Sequence, residues 1–328
     1  MVGVYALLAV ILTGQIVPMF LSILNPDTSN IYVLSGLYVL IFSLYFLIFV
    51  IFAKMRATRP NHKPTYKELL QTYNFKKPNV QDSGIIVVLG VLCILAYMTL
   101  QTGLIEVFAS LGHTPGGIAP QMENFGHYIL IVIAIAVLPS IVEELLFRGL
   151  ILHSLMPFGK TVAVFTSALL FSLFHMNPSQ TVFQFFLGII FALIYIRTKN
   201  MWYPMLLHFV NNFAIITYTY VTRGAYESAL IFNWQVILVM WTLVVVGTLI
   251  AVSLVRCLKK SKQPSIELHT VLTDNMQEAS SQEISPVTQE TNLQSNSSDR
   301  KFIGSKEFIG FMACAAICVI VWIVVFLN

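Results

Sequence analysis

The sequence predicts an all-α fold, a polytopic bundle of transmembrane helices. The chain has 328 residues, of which 57% are hydrophobic and only 10% are charged, whereas a soluble domain carries about 25% charged residues. The apolar residues are gathered in runs near the length that crosses a bilayer as a helix. We therefore expect eight core spans and one further span appended at the C-terminus.

The apolar runs define the predicted spans in order. Six have the length and composition of a membrane helix and lie at about 4–24, 31–53, 84–103, 127–147, 234–256 and 308–327. Three others are shorter or more polar, at about 161–175, 181–196 and 202–221. The first run lacks a basic leader and a small-residue cleavage site, so we expect a retained helix rather than a signal peptide.

The basic residues predict the orientation. The loop 54–83 contains seven Lys and Arg residues against only Glu68 and Asp82, so the positive-inside rule makes it cytoplasmic. Alternating the spans from this loop makes the N-terminus cytoplasmic and leaves only Arg223, of 19 basic residues, in a loop on the far face. We expect a multi-pass protein of the cell membrane in contact with lipids. These loops account for the net charge of +4, so the charge does not indicate a nucleic-acid partner.

Composition divides the chain into four parts. Residues 1–83 contain two spans and the basic loop, and residues 84–257 form the main core. Residues 258–307 are rich in Ser, Gln, Asn and Thr and cannot bury enough apolar area to fold, so we expect a disordered cytoplasmic linker. Residues 308–328 are expected to be a C-terminal anchor outside that core.

Two adjacent glutamates, Glu143 and Glu144, lie in the fourth run, where ionisable groups usually face a bundle interior or a wet cavity. On a helix, Glu144 and Arg148 are i,i+4 neighbours that can pair, whereas Glu143 lies about 100° around the axis. An ion pair would explain Glu144 and Arg148 but not Glu143. Pro139 removes a backbone hydrogen bond one turn earlier and is expected to bend the helix.

Two later runs carry His175, four residues after Phe171, and His208, four residues before Asn212. Taken singly, these side chains are typical of packing or helix–helix hydrogen bonds. A carboxylate, two histidines and an amide on three helices together favour a hydrolase. The glutamate can act as general base towards a water held with one histidine. The other histidine and the amide can donate hydrogen bonds to the developing oxyanion.

Three motifs occur in order: Glu143-Glu144-x-x-x-Arg148, Phe171-x-x-x-His175 and His208-x-x-x-Asn212. This order resembles that of the type II CAAX prenyl endopeptidases and their bacterial relatives, the CPBP or Abi membrane proteases. The resemblance covers about residues 80–220 and implies an intramembrane protease core at 84–257. It also implies that Glu143 and His175 activate the water, that His208 and Asn212 stabilise the oxyanion, and that Glu144 and Arg148 support the site.

The proposed site constrains the fourth helix. If this helix ended at Phe147, Glu143 would lie near the cytoplasmic face, about 20 Å from His175 at about 1.5 Å per residue. The two side chains could not meet. We therefore expect the helix to continue to about Met156, before Pro157, which places Glu143 near the middle of the bilayer.

Metal dependence is left open by the residue types. Glu143, His175 and His208 make a plausible zinc set, because catalytic zinc commonly takes three protein ligands. However, each helix supplies one candidate ligand, unlike a His-Glu-x-x-His motif, and the four cysteines show no metal spacing. We favour a site without a metal or other cofactor.

Three functions compete. The first is an intramembrane endopeptidase acting on a membrane-associated peptide or protein, with a CAAX-type, bacteriocin-type or signal-peptide-type substrate. The second is a non-catalytic immunity or scaffold protein of the same fold. The third is a transporter with Glu143 as a proton site. The complete motif set favours the enzyme over the scaffold, and no matching halves with broken helices support a transporter.

Overall fold

The computed structural model describes residues 2–24, 29–58, 65, 68, 72–110, 121–175, 177–222, 234–260 and 305–327. These residues are 88% helical and contain no strand, which confirms the all-α prediction. Most of the predicted disordered linker, 261–304, lies outside the described residues.

The described residues form nine long helices, one over each predicted run. In chain order they are α1 (Val2–Leu24), α2 (Ile31–Ala57), α3 (Val80–Ser110), α4 (Phe125–Phe158), α5 (Lys160–Phe174), α6 (Pro178–Thr198), α7 (Trp202–Val221), α8 (Trp234–Cys257) and α9 (Lys306–Leu327). The fourth helix continues through Met156, which confirms the predicted extension past Phe147.

Helix α4 lies at the centre of the bundle, where it packs against α1, α2, α5, α6 and α7. Every residue from Leu145 to Leu152 is buried, as expected for a helix surrounded by others. Two stretches of α4 are π-helical, Val132–Val137 and Leu145–Leu152. They flank the two glutamates, and π-bulges within α-helices are frequent at functional sites.

The distribution of polar and apolar residues is that of a membrane protein. Three helices are long and apolar enough to cross a membrane by length and composition: Ile31–Ala57, Phe125–Phe158 and Gln180–Thr198. Large apolar side chains such as Leu95 and Leu249 are exposed, whereas Glu143, Glu144 and Arg148 are buried. The number of spans stays a prediction.

The last helix packs against the bundle. Helix α9 contacts α1 and α5, and Phe311, Cys314 and Cys318 are buried in the main hydrophobic core. The span predicted as an appended anchor is therefore in contact with the rest of the protein. The division of the chain into four parts stays a prediction.

Three loops expected on the cytoplasmic side meet at one end of the bundle. The hydroxyl of Tyr203 accepts a hydrogen bond from the Asn79 N–H (2.9 Å) and donates one to Asp82 (3.3 Å). The same aspartate accepts a hydrogen bond from the backbone N–H of Lys259 (3.3 Å). The starts of α3 and α7 and the end of α8 thus share one face, which is what the charge-based orientation requires.

Candidate active site

Glu144 and Arg148 form an ion pair in the interior of the protein. Arg148 Nη1 donates to Glu144 Oε1 at 2.9 Å, and both side chains are completely buried. The pair joins successive turns of α4, at the spacing that brings side chains onto one face of a helix. The structure therefore contains the ion pair that the sequence suggested, in which Arg148 balances the charge of Glu144.

Two other helices enclose the guanidinium group. Arg148 Nη2 donates to the backbone carbonyl of Gly188 on α6 at 3.1 Å. The Arg148 Cζ atom lies 4.6 Å from the ring centre of Phe171 and 4.8 Å from that of Phe191. An aromatic face attracts a cation electrostatically. Arg148 thus connects α4 to α5 and α6 as well as neutralising Glu144.

His208 lies between the two glutamates. Its Nδ1 atom is 3.0 Å from Glu144 Oε1, and its Nε2 atom is 3.9 Å from Glu143 Oε2. The imidazole ring stacks on Phe191 at a centroid distance of 5.2 Å. Contacts on three sides hold the ring, so Glu144 orients His208 in the same way that a carboxylate orients a catalytic histidine in a triad.

Glu143 has a different environment from its neighbour. Each glutamate has a buried Oε2 atom without a hydrogen-bond partner among the described residues, but Glu143 is 6% exposed whereas Glu144 is completely buried. Arg148 is paired with Glu144 rather than with Glu143. A buried carboxylate oxygen that lacks a protein partner is costly unless a water or ligand satisfies it. The geometry therefore leaves Glu143 Oε2 available to a water or a substrate.

His175 joins the site through aromatic contacts. Its Nδ1 atom is 2.8 Å from the backbone carbonyl of Phe171, one turn earlier on α5. A carbonyl only accepts hydrogen bonds, so Nδ1 carries a proton and a neutral His175 has its lone pair on Nε2. The ring of Phe171 lies edge-on to both His175 (4.9 Å) and His208 (5.9 Å). Phe171 thus separates the two histidines.

Asn212 hydrogen-bonds to α4 one turn before Pro139. Its Nδ2 atom donates to the carbonyl of Ile135 at 3.1 Å, and its Oδ1 atom accepts from Asn211 Nδ2 at 3.2 Å. Pro139 has no N–H to offer the carbonyls of the preceding turn, and Asn212 satisfies one of them. One hydrogen of the Asn212 amide is used in this way, and the second remains for another acceptor.

The link between Asn212 and Pro139 is testable. We expect Asn212→Leu to lower the free energy of unfolding by about 1 kcal/mol, because it removes a hydrogen bond to the carbonyl of the half-buried Ile135. In a Pro139→Ala background the same change should cost less, since the alanine introduced there supplies an N–H to that turn. Unfolding of the four proteins in detergent, combined as a double-mutant cycle, measures the difference. Equal costs in both backgrounds would show that Pro139 does not create the need for Asn212.

Sequence reasoning missed Phe191, Gly188 and Asn211. Phe191 lies in an apolar run, where one more aromatic residue carries no signal. Gly188 matters through its backbone: a Cβ there would lie 2.9 Å from the Cα of Ala168, so α5 and α6 are in close contact at this point. Asn211 is buried beside Asn212. In the sequence, only its position next to a motif residue indicated that it could belong to the site.

Glu143, His175 and His208 are the candidate metal ligands. Within the described part of the chain, no group of three or more His, Cys, Asp or Glu side chains is arranged to hold a metal ion. One nitrogen of His208 contacts Glu144 and one nitrogen of His175 contacts a backbone carbonyl, and contacts of this kind also occur around metal-bound histidines. The site without a metal therefore stays a prediction.

The fold and the site together define a helical membrane protein with Glu143, Glu144 and Arg148 buried on its central helix and His208 packed against them from α7. Residues 125–214 match the family model described as type II CAAX prenyl endopeptidase Rce1-like. This segment is thus an Rce1-like type II CAAX prenyl endopeptidase domain, as the three motifs predicted. The match includes α4, α5, α6 and most of α7, and hence all six site residues. At the level of the family, this match supports an intramembrane endopeptidase. No curated protein and no solved structure matches the chain.

Proposed function

We propose that this protein hydrolyses a peptide bond in a membrane-associated peptide or protein, using a water activated by Glu143. One observation carries the proposal: a buried glutamate has an oxygen without a protein partner, 3.9 Å from His208 Nε2. The neighbouring glutamate is paired with Arg148. A carboxylate that is free to take a proton is what a general base requires.

The reaction begins with a water held between Glu143 and His175. The water donates one hydrogen to the Glu143 carboxylate and the other to the lone pair on His175 Nε2. Its oxygen attacks the scissile carbonyl carbon as Glu143 takes the first proton, and the carbonyl oxygen becomes an oxyanion. Collapse of this intermediate breaks the C–N bond. Glu143 then returns the proton to the leaving amine, so one water is consumed and a carboxylic acid and an amine are formed.

His208 and Asn212 stabilise the oxyanion in this scheme. A protonated His208 donates from Nδ1 to Glu144 and from Nε2 towards the reacting carbonyl. Asn212 contributes the amide hydrogen that Ile135 does not use. Removing one donor from an oxyanion hole costs about 10²–10³ in rate. Arg148, Glu144, His208 and Glu143 then form a series of alternating charges, so the buried array has no net charge when His208 is protonated.

Two substrate classes are compatible with this site. The family association is with CAAX peptides that carry a prenyl group, and the second class is a bacteriocin or signal-type peptide that lies in the membrane. Both bring a scissile bond to membrane depth. We propose no metal in the reaction, because the side chains around Glu143 do not form a metal-ligand set.

Purified protein in liposomes tests the substrate and the metal together. The substrates are a farnesylated CAAX peptide, the same peptide without the lipid, and an apolar signal-type peptide, and the products are read by mass spectrometry. We expect at least one lipid-associated peptide to be cleaved, and Glu143→Ala to cleave none. Activity should survive a strong zinc chelator. Activity that is lost on chelation and restored by zinc would contradict the metal-free mechanism.

A further inference from the structure

Asn211 lies outside the three motifs and is only 1% exposed. Its Nδ2 atom donates a hydrogen bond to Asn212 Oδ1 at 3.2 Å. Its Oδ1 atom is buried and has no hydrogen-bond partner among the described residues. A buried polar atom that lacks a partner lowers stability, and leucine would fill a similar volume without that cost. Packing alone therefore does not explain an asparagine at this position.

The hydrogen bond between the two asparagines joins consecutive residues of α7. It therefore connects no pair of helices, unlike the hydrogen bond from Asn212 Nδ2 to the Ile135 carbonyl of α4, at 3.1 Å. Polar side chains in membrane helices usually add stability by bonding across helices. The direct effect of the Asn211 amide is instead on its neighbour, the side chain that the proposed mechanism places at the oxyanion.

The orientation of both amides follows from the carbonyl of Ile135. A carbonyl can only accept a hydrogen bond, so Asn212 must present its Nδ2 atom to it. The Oδ1 atom of Asn212 then faces Asn211, which must in turn donate from Nδ2. Turning over either amide would bring two acceptors together. The Asn212 carboxamide is thus held at its nitrogen by α4 and at its oxygen by Asn211.

We propose that Asn211 is a positioning residue, which fixes the carboxamide of Asn212 in the orientation that the oxyanion requires. This inference rests on the proposed function, in which the Asn212 hydrogen not used by Ile135 donates to the reacting carbonyl. Held at its nitrogen alone, the carboxamide can turn about that one hydrogen bond and carry its second hydrogen away. Donors fixed before the reaction need no rearrangement when charge develops. Asn211 contacts no reacting atom and transfers no proton.

Asn211→Leu tests the proposal, because it removes both polar atoms and keeps a side chain of similar size. We expect kcat in the liposome assay, with the best-cleaved peptide of the panel, to fall about 10- to 100-fold with KM nearly unchanged, since a misplaced donor costs somewhat less than a missing one. The midpoint of thermal unfolding in detergent should change little, because the unpartnered Oδ1 is removed together with the hydrogen bond. Full kcat in Asn211→Leu beside an inactive Glu143→Gln would overturn the role of Asn211 and leave the proposed function standing.

Two comparisons separate positioning from a general effect on the helix. The matched control is Thr219→Val, which removes another buried polar group from α7, a hydroxyl bonded to the Ile215 carbonyl at 3.0 Å, and it should keep full activity. In Asn212→Leu, the further change Asn211→Leu should leave kcat unaltered, because no carboxamide remains to be positioned. The same fold-loss of kcat in the wild-type and Asn212→Leu backgrounds would show that Asn211 does not act through Asn212, and the proposal would fail.

A measurement without substrate covers the case in which no peptide of the panel is cleaved. In protein that contains ¹⁵N-labelled asparagine, the side-chain NH₂ signals of Asn212 are those that disappear from the NMR spectrum of Asn212→Leu. We expect the order parameter of this group to fall towards about 0.6, the value of a flexible group, in Asn211→Leu, and to stay unchanged in Thr219→Val. An unchanged order parameter in Asn211→Leu would show that Ile135 alone holds the carboxamide and would refute the proposal.

Discussion

Replacing Glu143 with glutamine is expected to abolish peptide-bond cleavage and to leave the protein folded. Glutamine has the shape of glutamate but cannot accept the proton of the attacking water, and general-base catalysis contributes about 10²–10⁴ in rate. Stability should not suffer, because Glu143 Oε2 has no hydrogen-bond partner in the described structure. Removing a buried charge also removes its desolvation cost.

The expected result can be measured without knowing the substrate. Membranes from cells that produce either the wild-type protein or Glu143→Gln are compared for peptide termini by mass spectrometry, with Glu123→Gln as the control at an exposed glutamate. Termini present with wild type and control but absent with Glu143→Gln identify the products. If all three membranes carry the same termini, the enzyme interpretation fails and the immunity or scaffold alternative is favoured.

The proposed roles of Glu143 and Glu144 differ because different side chains contact them, and not because one is more deeply buried. Both are buried on α4, one residue apart. Glu144 Oε1 is within hydrogen-bond distance of both Arg148 and His208, so it acts by holding other groups in place. Glu143 has only the 3.9 Å approach of His208 Nε2. The ion-pair interpretation of the sequence therefore accounts for Glu144 and leaves Glu143 for chemistry.

Much of the fold could be predicted because a bilayer permits few solutions. Each apolar run near 20 residues becomes a helix, since backbone groups in lipid must be satisfied internally. Hydropathy alone placed the end of α4 near residue 147, although the helix continues to Phe158. The chemical requirement that Glu143 and His175 belong to one site corrected that boundary, which shows that function can locate a helix end where hydropathy cannot.

The remaining parts of the site depend on contacts between distant helices. Phe191 stacks on His208, the Gly188 carbonyl accepts a hydrogen bond from Arg148, and Asn212 binds the carbonyl of Ile135. Their positions follow from how α6 and α7 rotate against α4. No spacing along the chain encodes these rotations, and an aromatic residue in a membrane span is common. The motif residues were predictable because their residue types are unusual in lipid, whereas their partners are not.

Removing the cation of the buried pair should damage the fold as well as the chemistry. Arg148→Met keeps a long side chain against Phe171 and Phe191 but leaves Glu144 buried without its guanidinium partner. Loss of one member of a buried ion pair costs about 3–5 kcal/mol, because the other charge stays desolvated and unpaired. We expect the free energy of unfolding in detergent to fall by that amount. Cleavage should also be lost, since Glu144 orients His208.

The double variant Glu144→Gln/Arg148→Met separates charge from packing. It removes both charges together, and the glutamine oxygen can still accept a hydrogen bond from His208 Nδ1. Replacing both members of a buried pair is often nearly neutral, in contrast to removing one. The double variant should therefore be more stable than Arg148→Met alone, although Arg148 also donates to the Gly188 carbonyl, which prevents full recovery. If the double variant is no more stable than Arg148→Met, an unpaired Glu144 charge is not the cause of the loss, and the contacts of Arg148 with Gly188 and the two aromatic rings account for it.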